Sequence, residues 1–242
     1  MTIHPFKTDD EVVAYARYWL RGMVDSLHRN IGICLTADKN KSHAYFPALM
    51  TCISFLDLLS GLYAGNVKDH GLDHLQAYAR KFLDGRKYPK DELAILYVGF
   101  RHKIAHLYHP YFVFDTSHIP RDKKLLGTRR ITWTVLASSL PLPIELVPDR
   151  RISKKDRRRG LRPPWDVPYS HRFRISLRRL KTDAAKSIYG PTGYLAYLES
   201  SRDGREKFAK CMKTGFYPPR LIGAVLDEGF FSLRPRPSTG SG

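Results

Sequence analysis

The sequence predicts an α+β protein, mainly helical: a four-helix N-terminal bundle, then a basic extension with a few strands and one or two helices. Three observations lead to this reading. Apolar side chains recur at helical spacing through residues 8–110. Runs rich in β-branched and aromatic residues follow only after residue 110. Positive charge is concentrated in the middle of the chain. The expected division is residues 1–110 for the bundle, 111–231 for the extension packed on or beside it, and 232–242 for a disordered tail.

The first helix is announced by Thr8-Asp9-Asp10-Glu11, a capping box in which Thr and Glu three apart satisfy orphan amides. Val12, Ala16, Trp19, Leu20, Met23 and Leu27 form its stripe, and Asn30 and Gly32 suit its stop. The second runs from near Pro47 to Leu62 or Tyr63 and is apolar nearly all round, which places it mid-bundle. Asp57 interrupts it and needs a partner if buried. Gly65-Asn66 closes it. A third spans Leu72 to Leu83, with Leu72, Leu75, Tyr78 and Phe82 on one face. A fourth follows Tyr88-Pro89, carries Leu93, Leu96, Phe100, Ile104 and Leu107, and ends at Pro110.

Beyond the bundle, residues 111–115 and 131–136 read as strands, and 144–147 is a weaker candidate. Residues 171–177 alternate basic and apolar, so Arg172 and Arg174 belong opposite Phe173 and Ile175. Residues 184–199 read as helix broken at Gly190-Pro191, and 203–212 as one more short helix.

The 242 residues are 43% apolar and 26% charged, which excludes a wholly disordered chain. The formal charge is +18. Residues 1–119 carry 14 basic and 12 acidic residues, whereas 120–181 carry 18 and 5. That asymmetry points to a polyanionic partner. The densest run supplies Arg150, Arg151, Lys154, Lys155, Arg157, Arg158 and Arg159, followed by Gly160, Pro163 and Pro164. It reads as an exposed loop, either a solvated linker or a phosphate-backbone contact joined by Arg172 and Arg174. Cys34, Cys52 and Cys211 are far apart and odd in number, against a disulfide framework or a thiolate metal site. No secretory leader is read at the N-terminus. The uncharged run 131–144 holds two prolines and is too short to span a bilayer. The expectation is a cytoplasmic protein with no membrane association.

Chemistry-bearing residues gather at the end of the fourth helix, in Phe100-Arg101-His102-Lys103-Ile104-Ala105-His106-Leu107-Tyr108-His109-Pro110. His102 and His106 are four apart and share a helical face. An imidazole titrates near neutrality, with an unperturbed pKa of about 6.5. A guanidinium keeps its charge and presents a planar fork to oxyanions.

Arg101, four intervening residues and His106, with His102 directly after the Arg, resemble the motif of the HEPN superfamily of short helical bundles. The resemblance covers residues 8–110 and not the basic half. It implies metal-independent RNA cleavage, as in many members, or non-catalytic RNA or nucleotide binding, as in others. The implied catalytic residues are Arg101 and His106, with His102 orienting substrate or tuning proton transfer. No metal and no cofactor is implied. The implied partners are RNA, an acidic antitoxin-like protein, and a second copy of the chain across the fourth helix, in a toxin- or defence-like setting.

Other readings of the same residues stand beside this one. Arg101 can be the ion-pair partner of Asp57. The histidines can serve the negative end of a helix dipole. His102, His106 and His109 have workable metal-ligand spacing, although Lys103 stands where a zinc hydrolase helix carries Glu.

Overall fold

The computed structural model describes residues 6–36, 44–68, 71–102, 131–138, 140–148 and 171–216. The protein is α+β and mainly helical, with one small three-stranded sheet. Its elements are α1 (Asp9–Leu35), α2 (Tyr45–Ala64), α3 (Leu72–Phe82), α4 (Lys90–Ala94, continued as a π-helix over Ile95–His102), β1 (Ile131–Leu136), β2 (Ile144–Pro148), β3 (His171–Ser176), α5 (Leu177–Tyr189), α6 (Tyr194–Ser200) and α7 (Arg202–Cys211, continued as a π-turn over Met212–Phe216).

The start of α1 follows its capping signal. Thr8 Oγ1 accepts from the Glu11 amide at 3.2 Å, and Glu11 Oε2 accepts in return from the Lys7 amide at 2.5 Å. The expected stop at Asn30 and Gly32 is overrun, and the helix continues to Leu35. Ile31 is fully buried there, so packing outweighs the weak helix propensity of Gly32. Helix α2 begins at Tyr45, with Pro47 in its first turn where a missing amide costs nothing. It ends at Gly65, whose φ of 78° is the left-handed conformation glycine adopts freely.

Helix α2 is the centre of the molecule and packs against α1, α3, α5 and α7. Among the described residues it is the one helix apolar and long enough to cross a membrane, and most of it is buried inside the protein. One apolar core runs through the N-terminal helices, the sheet and α5 to α7.

The sheet has the order β1-β3-β2, with β1 parallel and β2 antiparallel to β3. Trp133, Phe173 and Leu146 occupy one register row. Trp133 meets Phe46 at 5.3 Å between ring centroids, and Phe100 lies 5.7 Å from Phe173. The aromatic face of the sheet therefore seats on the π-helix. The helix expected from residue 184 begins earlier, at Leu177, because Ser176 caps it by accepting from the Arg179 amide at 3.3 Å. It stops before Gly190-Pro191, as the sequence requires.

The expected strand at 111–115, the end of the fourth helix at Pro110, the basic run 150–159 and the tail from 232 lie outside the described residues.

Candidate functional site

The site grows from the fourth helix where it changes winding. Leu93, Ala94, Ile95, Leu96 and Tyr97 are buried in unbroken succession, more than one α-helical face can hide. The helix widens to π from Ile95, a winding found mostly as short insertions and often at functional sites. Phe100 is fully buried beneath the sheet, and Arg101, the next residue, turns to α2.

There the Arg101 Nε donates to Asp57 Oδ2 at 2.8 Å. The Asp57 side chain is only 5% exposed, that of Arg101 24%. The guanidinium carbon lies 5.1 Å from the centre of the Tyr97 ring, within cation–π range. Tyr97 is itself buried. Burial first, and the neighbouring Asp57 charge second, push its phenol above the ordinary range, with Arg101 opposing. A buried carboxylate on the central helix is tolerable because a cation meets it. Removing one partner of such a pair costs about 3–5 kcal/mol.

Asp57 was legible in the sequence as the one charge in an apolar helix. Tyr97 was missed, and the available signal was its position four residues before Arg101, the spacing at which helical side chains meet. The His102 backbone lies in the π-helix. His106 and His109 lie outside the described residues.

The second cluster is on β3. Arg172 and Arg174 alternate with fully buried Phe173 and Ile175, as expected. Arg174 Nη1 pairs with Glu145 of β2 at 2.8 Å, and Arg172 Nη1 lies 3.4 Å from Thr134 Oγ1 of β1. The structure thus places both arginines on one polar sheet face, with Arg174 already engaged by a carboxylate. Arg150, Arg151, Lys154, Lys155, Arg157, Arg158 and Arg159 lie outside the described residues.

Sequence reasoning also missed a groove of about 350 Å³ between the start of α1 and α7, lined by Lys7, Arg205, Lys210 and Lys213. Arg205 is held there by Asp9 at 2.8 Å. Among the described residues, no three His, Cys, Asp or Glu side chains gather closely enough to hold a metal. No protein-family model, curated protein or solved structure matches this chain.

Proposed function

We propose that this protein is a metal-independent RNA endonuclease of the HEPN kind, with Arg101 and His106 as its catalytic pair. The observation that carries the reading is the state of Arg101. Its guanidinium is partly exposed, bonded to Asp57 through Nε and set within cation–π range of Tyr97, and among the described residues no hydrogen bond or ion pair is made at Nη1 or Nη2. An arginine held this way suits a phosphate whose negative charge grows in the transition state.

In this mechanism His106 removes the proton from a ribose 2′-hydroxyl. The 2′-oxygen attacks the adjacent phosphorus, the bond to the 5′-oxygen breaks, and that oxygen takes up a proton. The products are a 2′,3′-cyclic phosphate and a free 5′-hydroxyl. In a homodimer across the fourth helix, the partner's imidazole supplies that second proton. His102 orients the substrate. Arg150, Arg151, Lys154, Lys155, Arg157, Arg158, Arg159, Arg172 and Arg174 hold the RNA backbone, and an acidic antitoxin-like protein would compete for them.

The test is RNA cleavage by purified protein in excess chelator. Wild type cuts, while Arg101→Ala and His106→Ala bind RNA and do not cut, with helical content preserved. Retained cleavage in either variant rejects the pair.

The Asp57 contact favours a second reading, in which Arg101 is structural and the protein binds RNA without cutting it. Under that reading Arg101→Ala lowers the melting temperature and leaves RNA affinity and its salt dependence unchanged.

A further inference from the structure

The guanidinium of Arg101 is constrained from two directions. Asp57 takes one edge through a single bond to Nε at 2.8 Å, and the Tyr97 ring lies against the group with its centre 5.1 Å from the guanidinium carbon. We propose that Asp57 and Tyr97 are positioning residues that hold the Nη1–Nη2 end of Arg101 ready for two oxygens of one RNA phosphate. The inference rests on the reading that Arg101 binds phosphate.

Three features support it. An arginine serving only to neutralise a carboxylate gains most from a two-bond fork. Here one bond is made, and it comes from the nitrogen nearest the stem, leaving the far end of the group unused by Asp57. Next, the two contacts come from different elements and differ in kind, a hydrogen bond to a carboxylate on α2 and an aromatic ring on the fourth helix within cation–π range. Together they remove rotamer freedom before a ligand arrives, which lowers the entropic cost of binding. Finally, both positioning groups sit on well-packed backbone. Asp57 lies on the central helix between Leu56 and Leu59, which are fully buried, and Tyr97 lies between buried Leu96 and Phe100. A site built on rigid elements keeps its geometry.

The proposal makes a prediction opposite in sign to simple electrostatics. Neutralising Asp57 raises the net positive charge beside the site, so a point-charge view expects an RNA phosphate to bind more tightly. Positioning expects weaker binding, because the guanidinium is released.

The experiment measures affinity of the full-length protein for an RNA oligonucleotide made uncleavable by 2′-deoxy sugars. The variants are Asp57→Asn and Tyr97→Leu, each with and without Arg101→Ala, and folding is checked by thermal melts. The expected result is at least about threefold weaker binding for each single variant, with no further loss in the Arg101→Ala background. Tyr97→Leu leaves the charge unchanged and keeps the test open if Asp57→Asn fails to fold. Equal or tighter binding in the variants, an equal loss with and without Arg101, or no binding by wild type overturns the proposal. Because the oligonucleotide cannot be cut, a wild type that binds it through Arg101 but fails to cleave ordinary RNA refutes the nuclease reading and leaves positioning supported.

Discussion

The hydroxyl oxygens of Tyr78 and Ser187 lie 2.8 Å apart in the interior, joining α3 to α5 across 109 residues of chain. Ser187 also donates to the Ala184 carbonyl at 2.7 Å, so its one proton is used and Tyr78 is the donor. Tyr78→Phe keeps the ring packing against Phe82 and Tyr194 and loses one buried hydrogen bond. The expected cost is about 1 kcal/mol, or a melting temperature lower by about 2–4 °C. Ser187→Ala strands the buried phenol and costs more, about 1–3 kcal/mol. Thermal melts of the two variants give the order, and the reverse order contradicts this assignment of donor and acceptor.

The buried thiols make stability sensitive to alkali. Burial pushes Cys52 up from 9.0 to about 12 and Cys211 up to about 11. Both thiols ionise more readily in the unfolded chain. Their contribution is therefore complete below pH 9.0 and is lost as pH rises through 11 and 12. Tyr78, Tyr88 and Tyr194, also raised by burial, act in the same direction. Urea unfolding free energy should fall steadily above pH 9, and Cys52→Ala should flatten that fall. In the folded protein a thiol reagent should label half-buried Cys34 and spare Cys52 and Cys211. Rapid labelling of all three contradicts this account.

Gly65 closes α2 in a conformation that an alanine adopts only with strain. A Cβ there would also lie 2.9 Å from Lys207 Cγ, a flexible side chain that can shift. Gly65→Ala should cost about 1–2 kcal/mol by denaturant unfolding. Gly85→Ala, where a Cβ meets nothing within 4 Å, is the matched control and should be near neutral.

The sheet arginines are tested through salt. If Arg172 and Arg174 contact RNA phosphates, replacing either with Ala reduces the slope of log affinity against log salt by about 1. Glu145→Gln frees Arg174 from its 2.8 Å partner and should tighten RNA binding. Unchanged slopes in both arginine variants remove them from the interface.

Much of the fold was legible because local signals and packing agree. Thr8 and Glu11 mark the start of α1, Gly65 the end of α2, and the alternation around Phe173 the buried face of β3. The misread boundaries are places where tertiary packing wins over propensity. Gly32 stays helical because Ile31 is buried, and Ser176 starts α5 seven residues before the position expected from periodicity. The π-winding at Ile95–His102 has no signature in a stripe of apolar residues, since the same Leu93, Leu96 and Phe100 suit either winding. Of the site, the Asp57–Arg101 pair was foreseeable, because an apolar helix can carry a charge only with a partner. The Tyr97 contact was not, because an aromatic residue in an apolar run ordinarily reads as core.

The most direct test of the central claim uses an RNA cut at a mapped position, and the same RNA with a single 2′-deoxy sugar just 5′ to the scissile phosphate, both in excess chelator. The account predicts that the unmodified RNA yields a 2′,3′-cyclic phosphate and a 5′-hydroxyl, and that the modified RNA stays intact at that position. Cleavage of the deoxy-substituted linkage, or cutting that requires a divalent metal, contradicts it.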